Sequence, residues 1–422
     1  MESDQQPLLA KPSETTKECM NTRVKIMLYS LIYNCALTIT TTIEPQFVYS
    51  YLKNQYKNNS NTEAKNYSKI EAKTCVQNST SSDDRLQELS SDWSWYMQLA
   101  EAGVALPVLI IVGPIADRIG RKPVLMWNLI ITLLSFVFKT VIVYRNMNLY
   151  YYTVACGIFG LAGSFYAYQI TNFAILADIT TRGKDRSFMM TLYDALSAIG
   201  VVAFQIGTGY LIQLIGFTDP YLISTGLFLF MCIFVQFTLL DSWRPPDKLA
   251  KLRIKEITLE LFSFCLNDHN MNKPYKLVTF VLEFLSYCLF YIPHCVVISI
   301  LTLYQLGMPF CWTSEHIGWY GAGASFVSFI GGVIILKIMH TMCGGLKDEM
   351  ITLLGMLSYL STYILYGVSS TDWILYAGTS CCITNSCYLF NTRYPIPPLL
   401  VNYIYIYLLH SEPIIIEGPS WS

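Results

Sequence analysis

The sequence predicts an all-α polytopic membrane protein with about 10 transmembrane helices. Apolar residues make up 53% of the chain and charged residues only 14%, whereas soluble domains carry about 25% charged residues. Several apolar runs reach the roughly 20 residues that cross a bilayer as a helix. Lys and Arg concentrate in alternate loops, which places those loops and the N-terminus in the cytosol. The net charge of −1 argues against nucleic acid as a partner.

The apolar runs fall into two groups, separated by a hydrophilic cytosolic loop at 242–276. A cytosolic tail (1–22) precedes an N-terminal six-helix bundle (23–241). The second group (277–390) is an incomplete helical bundle, and an atypical segment follows at 391–422. The predicted helices are Lys25–Tyr49, Trp95–Val112, Val124–Tyr144, Tyr150–Leu176, Ser187–Ile215, Tyr221–Leu240, Leu277–Leu306, Ile317–Met339, Met350–Val368 and Trp373–Phe390.

Two sets of short motifs concern trafficking. The tail carries Asp4, Leu8 and Leu9 at the spacing of the acidic dileucine signal that clathrin adaptors read. An inert tail is the alternative. The long loop at 51–91 holds three glycosylation sequons, which favours a lumenal or extracellular location. Their acceptor residues are Asn58, Asn66 and Asn78. Together the motifs are compatible with the plasma membrane or with endosomes and lysosomes.

The cysteines and the known catalytic motifs narrow the function class. Most of the 13 cysteines lie in apolar helices, where they act as small hydrophobic residues. Cys75 and Cys311 lie in loops predicted to be outside the cytosol, where an oxidising compartment permits a disulfide. No spacing indicates a metal or cofactor site, and no HExxH or G-x-S-x-G motif is present. The sequence therefore does not predict an enzyme.

A short segment between the second and third helices has the most specific motif. Residues 113–122 predict a tight cytosolic hairpin, in which Gly113 and Gly120 permit close approach and unusual backbone angles. Asp117 can accept hydrogen bonds at a helix end, and Arg121 helps to hold the loop in the cytosol. A charged loop with no further role is the alternative. The spacing G-x-x-A-D-R-x-G-R-K resembles the loop between helices 2 and 3 of the major facilitator superfamily.

Ionisable residues inside membrane helices are costly and are therefore candidates for function. We expect Lys139 to snorkel from the outer end of its helix, and Asp178 to form an ion pair or to serve at a helix end. The candidates are Glu44, Glu101, Lys139, Asp178, Asp194, Glu283, His294 and Lys337.

Asp194 and His294 are the strongest of these candidates. A carboxylate in a low dielectric binds a proton more readily, so Asp194 could load and release one at mildly acid pH. The alternative is a structural, hydrogen-bonded aspartate. Histidine titrates nearest to physiological pH, and His294 follows Pro293 near the middle of its helix. A packed histidine without a transport role is equally compatible with the sequence.

A closer resemblance covers residues from about 25 to 375. Gly157–Ser164, Ala177–Thr180 and Gly209–Leu211 look like the region around helices 4 and 5 of the proton-coupled folate transporter family, solute carrier family 46. His294 and Leu301–Tyr304 look like its helix 7. The dileucine motif is similar to that of a lysosomal branch of the same family.

The resemblance implies roles for individual residues. Asp194 stands where the family has a helix 5 carboxylate needed for proton coupling, usually Glu. His294 matches a histidine linked to proton and substrate binding, and Asp117 and Arg121 match residues needed for the conformational cycle. Cys75 and Cys311 match a pair that links the first lumenal loop to the loop after helix 7.

The same resemblance implies a fold and a mechanism. The fold would be that of the major facilitator superfamily, two six-helix bundles around a central cavity with the second incomplete. The implied function is proton-coupled symport of a small organic anion, folate-like or a lysosomal metabolite, by alternating access. The partners would be the organic substrate, protons and the lipid bilayer. The alternative is a transport-inactive, truncated isoform that acts as an interaction or regulatory membrane protein.

Overall fold

The computed structural model describes residues 12–60, 80–180, 184–239, 300–307, 309–328 and 348–381. Regular structure in these ranges is helical, as the composition predicts. The helices with defined bounds are α1 (Pro12–Ser60), α2 (Thr80–Ile119), α3 (Arg121–Arg145), α4 (Leu149–Leu161), α5 (Ser164–Ile179), α6 (Lys184–Ile215), α7 (Thr218–Thr238), α8 (Ser314–Phe326), α9 (Asp348–Val368) and α10 (Asp372–Cys381).

Six stretches in the described part of the chain are long and apolar enough to cross a membrane. They correspond one to one to the six helices predicted for the N-terminal bundle. The stretches are Asn21–Gln55, Arg85–Ile119, Arg121–Arg145, Leu149–Ile179, Leu192–Ile215 and Thr218–Thr238.

The loop predicted at 51–91 is shorter than expected, because helix occupies both of its ends. α1 continues to Ser60 and runs through Pro45, while α2 begins at Thr80. The start of α2 is rich in residues with high helix propensity, such as Arg85, Gln87 and Glu88, and it contains neither Gly nor Pro. Polarity predicts exposure to water there, but it does not by itself end a helix.

The fourth predicted helix is broken in its middle. α4 ends at Leu161 and α5 begins at Ser164, with Gly163 and Ser164 both in the left-handed region at φ 77° and 53°. The side-chain amide of Asn128 donates to the carbonyls of Ala162 and Ser164, at 2.7 and 3.2 Å. The bond to Ala162 satisfies a carbonyl just past the end of α4, where carbonyl groups lack a partner within the helix, and the bond to Ser164 ties Asn128 to the start of α5.

Aromatic rings form much of the core of the N-terminal bundle, and polar side chains form hydrogen bonds between helices inside it. Tyr33 stacks on Tyr168 with ring centroids 3.6 Å apart and meets Phe228 edge to face. The hydroxyl groups of Thr40 on α1 and Ser224 on α7 lie 3.1 Å apart. Thr40 is 2% exposed, so this polar side chain of α1 faces the interior of the bundle.

Candidate functional site

Three acidic and basic residues form a cluster at one end of the N-terminal bundle, called here the Arg121 cluster. The guanidinium of Arg121 is 2% exposed and lies 2.6 Å from Asp117 Oδ1 and 3.3 Å from Asp178 Oδ2. Asp117 closes α2, Arg121 opens α3, and Asp178 closes α5. One buried cation therefore ties together three helix ends, and two carboxylates share it.

The backbone around Arg121 explains why the cluster can form. Gly120 is the one residue between α2 and α3, and its φ of 113° is one that residues with a Cβ rarely adopt. The predicted hairpin is thus tighter than expected, because Gly113 lies within α2 and is buried there rather than in a loop. Nearby, Lys122 Nζ donates to the carbonyl of Gln236 at 2.9 Å.

Asp178 has the ion-pair role that the sequence predicts, with a partner far away in the chain. Its nearest basic neighbours in the sequence are Arg182 and Arg186. Arg182 lies outside the described residues, and the side chain of Arg186 is not described. The observed partner, Arg121, belongs to another helix.

A second cluster, the Lys139 cluster, lies inside the same bundle toward its opposite end. Lys139 Nζ is 3.0 Å from Glu44 Oε2, and its side chain is 3% exposed. The rings of Phe136, Tyr152 and Phe159 surround the ammonium, with the Tyr152 centroid 5.0 Å away. The expectation that Lys139 snorkels is therefore wrong, because a buried counter-ion and three aromatic faces hold the ammonium inside.

Hydrogen bonds order the carboxylate of Glu44. The Tyr152 hydroxyl donates to Glu44 Oε2 at 3.1 Å, and the Cys156 thiol donates to Oε1 at 3.9 Å. The Tyr221 hydroxyl lies 2.6 Å from that of Tyr152. Because the single Tyr152 proton is committed to Glu44, Tyr221 is the donor in this second bond. The Lys139 cluster thus joins α1, α3, α4 and α7 around one carboxylate.

Asp194 lies on α6, apart from both clusters. Its side chain is partly buried, and in the described part of the chain it has no hydrogen-bonding or charged partner. Asp194 precedes Gln205 by about three helical turns, which places the two residues on one face of α6. That face contacts α8, since Ser325 Oγ donates to Gln205 Oε1 at 3.0 Å.

The contact between α6 and α8 is a backbone-to-backbone approach between the two groups of helices. A Cβ added at Gly209 would lie 2.7 Å from the carbonyl oxygen of Ser314 and 3.3 Å from Gly318 Cα. Trp319 Nε1 donates to the Tyr210 hydroxyl at 3.0 Å beside it. Gly209 and Gly318 therefore let the helices approach more closely than residues with side chains would allow.

Several predicted residues fall outside this description. His294, Cys75, Asn66, Asn78, Asp4, Leu8 and Leu9 lie outside the described residues. Asn58 lies in the last turns of α1, where side chains are not described. Cys311 has a φ of 50°, and its disulfide with Cys75 stays a prediction. Among the described residues, no group of three His, Cys, Asp or Glu side chains could hold a metal ion.

Sequence reasoning named the charged residues Glu44 and Lys139 singly, and it missed their association and the aromatic residues around them. One signal was available in the tight turn at Gly120. Glu101 on α2 and Lys139 on α3 stand equally far from that residue in sequence, so the hairpin brings them to a similar depth in the membrane. An acidic and a basic residue at one depth in adjacent helices predict an electrostatic pair, and Lys139 does interact with both Glu101 and Glu44.

Comparison with known proteins agrees with this architecture. Residues 91–403 match the model of the Major Facilitator Superfamily. The human organic anion transporter MFSD10 (TETRAN) has a similar fold, with a TM-score of 0.61 and 12% sequence identity over 94% of this chain and 90% of that one.

Two curated relatives are members of solute carrier family 46. The lysosomal proton-coupled steroid conjugate and bile acid symporter SLC46A3 of Gallus gallus is 26% identical over 358 residues, which are 82% of this chain and 74% of that protein. The proton-coupled folate transporter of Rattus norvegicus is 23% identical over 298 residues, 69% of this chain and 62% of that protein. The match to this second relative thus spans less than two thirds of its length.

The helical architecture, the six membrane-long stretches and the match over most of the chain agree with one another. The relatives are transporters and not enzymes. This chain is a multi-pass membrane protein that belongs to the major facilitator superfamily.

Proposed function

We propose that the chain is a proton-coupled symporter of a small organic anion that works by alternating access, with Asp194 as its principal proton site. The proposal rests on the transport activities named for its relatives, which include a proton-coupled folate transporter and a proton-coupled symporter of steroid conjugates and bile acids. Folate-like compounds and lysosomal metabolites are the substrate classes that we would test.

The observation that carries the proposal is the position of Asp194. Its carboxylate lies on the face of α6 that meets α8 three helical turns further along the helix, at Gln205. No ion pair in the described part of the chain holds it in its charged form. A carboxylate of this kind can accept a proton without breaking a salt bridge, which suits a group that loads and unloads in each cycle.

The other predicted site residues enter the proposal in supporting roles. His294 would share the proton and contact the substrate, as the resemblance implies. The Arg121 cluster supports a gating role for Asp117 and Arg121, because a buried cation shared by two carboxylates can exchange partners when helix ends move. Gly120 gives the turn its required backbone, and Gly113 would serve through its place in α2.

The proposal extends to location and processing. The N-terminus would lie in the cytosol, where a clathrin adaptor would read Asp4, Leu8 and Leu9. The loop at 51–91 would face the lumen or the outside, with glycans on its three sequons and a Cys75–Cys311 disulfide. Lysosome and plasma membrane both fit, and the relative from Gallus gallus is lysosomal by name. The alternative of a transport-inactive isoform is not favoured by the named relatives, which are transporters.

Substitution of Asp194 tests the proposal. Asp194→Asn should abolish the stimulation of uptake by acid, because an amide cannot take up a proton, while Asp194→Glu should retain it. Uptake of labelled organic anions is measured over a range of pH in vesicles that contain each variant. An Asn variant with the pH profile of the unmodified chain would remove Asp194 from the proton path. Glu88→Gln serves as the control, because it also removes a carboxylate but at an exposed position.

A further inference from the structure

The interior of the N-terminal bundle holds an imbalance of charge. Two carboxylates, those of Glu44 and Glu101, interact with the single ammonium of Lys139. Glu44 is the better satisfied of the two, because it accepts hydrogen bonds from Lys139, Tyr152 and Cys156. In the described part of the chain, the Glu101 carboxylate accepts one hydrogen bond, from the hydroxyl of Ser164. Lys139 is thus committed to Glu44, and Glu101 lacks a close counter-ion.

Glu101, on α2, contacts the break between α4 and α5 through Ser164. The break lies near the middle of the membrane-long stretch Leu149–Ile179. The backbone of Glu101 is pressed against α4, since a Cβ added at Gly160 would collide with the Glu101 carbonyl and lie 3.0 Å from Val104 Cβ. Ser164 is 4% exposed and has a φ of 53°. The Ser164 hydroxyl therefore holds the carboxylate at the first residue of α5.

Among the described residues, the groups that face Glu101 from the neighbouring helices include no second cation. α1 contributes Glu44 and Tyr33, α3 contributes Lys139, and α4 contributes Cys156, all of which interact with Glu101 electrostatically. α5 contributes the Ser164 hydroxyl. Glu44 repels a negative charge on Glu101, and its pairing with Lys139 reduces the attraction that Lys139 offers. A proton is the ligand that would neutralise Glu101.

We propose that Glu101 is a second proton-binding site, separate from Asp194, and that Ser164 couples its protonation to the break between α4 and α5. In the charged state the Ser164 hydroxyl donates its hydrogen bond to Glu101. When a proton from the acidic side adds to the carboxylate, the neutral acid becomes a donor and a weaker acceptor. The bond to Ser164 then weakens or reverses, and the first turn of α5 is released from α2.

α5 connects the Glu101 contact to the Arg121 cluster. α5 runs from Ser164, at the Glu101 contact, to Ile179, next to Asp178. A shift at its first turn is transmitted along a rigid element to the Asp178–Arg121 ion pair at its other end. Protonation of Glu101 would thereby bias the residues that we propose as the gate.

Infrared difference spectroscopy tests proton binding without any transport. Purified protein in bilayers is taken through a downward pH step, and the absorption of protonated carboxyl groups is recorded. Glu101→Gln should remove one carboxyl band and lower proton uptake by one per chain. Asp194→Asn should remove a different band and leave that of Glu101. The exposed Glu88→Gln, on the same helix α2, should change neither.

Ser164 supplies the second readout, which does not depend on the folding of the Glu101 variant. Ser164→Ala removes the hydroxyl and should shift the Glu101 band in frequency and in its titration midpoint. Ser164→Gly removes the hydroxyl and also removes the backbone strain of the left-handed φ. If the band shift came from that strain and not from the lost hydroxyl, the Ala and Gly variants would differ. A Glu101→Gln protein with undiminished proton uptake, or a carboxyl band unmoved by both Ser164 variants, would overturn the inference.

The inference rests on the proposed function only for the use to which the proton is put. If the unmodified chain shows no acid-stimulated uptake, and the Glu101→Gln variant lacks one carboxyl band, the proposed function fails and the proton site stands. If uptake is acid-stimulated and the Glu101→Gln protein retains every band, the second site fails and the proposed function stands.

Discussion

Replacement of Lys139 by Met tests whether the Lys139 cluster is held by its charges. The change leaves the Glu44 carboxylate among aromatic rings without its counter-ion. Removing one partner of a buried ion pair costs about 3–5 kcal/mol. Because the Glu44 side chain is 24% exposed and Lys139 only 3%, some water reaches the orphaned carboxylate. We therefore expect the lower end of the range, about 3 kcal/mol.

The double variant Glu44→Gln/Lys139→Met isolates the electrostatic part of this loss. It removes both charges and keeps an acceptor for the Tyr152 hydroxyl, so its stability should return to within about 1 kcal/mol of the original. Thermal unfolding in detergent measures the difference. With an entropy of unfolding of about 2.1 cal/mol/K per residue, the single variant of this 422-residue chain should unfold about 3–4 °C lower than the unmodified chain. The double variant should recover most of that shift.

The outcome separates two accounts of the buried lysine. If the double variant is as unstable as Lys139→Met, the stem of the lysine packs the core and its charge contributes little. A single variant within about 1 kcal/mol of the unmodified chain would show that Glu44 finds solvent or a proton instead. Either result would refute the argument from counter-ion loss.

Other features lead to further predictions. Gly209→Val should reduce uptake at least about tenfold, because overpacking of about 1–3 kcal/mol would separate α6 from α8. The matched control Gly207→Val should be tolerated, since no atom lies within 4 Å of a Cβ there. Arg121→Ala should abolish uptake, because Asp117 and Asp178 lose the cation that they share; uptake by this variant equal to that of the unmodified chain would count against the gate. Asn128→Leu should destabilise the protein by about 2 kcal/mol or more, because two carbonyls at the break lose their donor, and unchanged thermal unfolding would contradict this role.

The sequence predicts the N-terminal half well where the signal is local. Apolar length locates the six membrane-long stretches, and the spacing of Gly120, Asp117 and Arg121 identifies the turn that the structure contains. The third member of that cluster, Asp178, meets Arg121 through the packing of α5 against α3. Periodicity in one helix does not determine which residue of another helix it faces, so this pair was not predictable with the same method.

The break in the fourth predicted helix shows a different limit. No proline marks it, and the run from Tyr150 to Leu176 is apolar enough for a continuous helix. What stabilises the break is Asn128, a residue of α3 that satisfies the carbonyls of Ala162 and Ser164. Tertiary hydrogen bonds from another helix thus override the local preference. Lys139 was misplaced for a similar reason, since its counter-ion lies on α1.

The central claim is that this chain moves an organic anion together with protons. Its most direct test is uptake by vesicles that contain the purified chain alone, under an imposed acid gradient, with labelled folate and a panel of other organic anions. The account predicts uptake that rises with external acidity and is accompanied by proton entry, and that collapses when a protonophore removes the gradient. Anion uptake that is unaffected by both acidity and the protonophore would contradict it, as would the absence of uptake of every anion by correctly inserted protein.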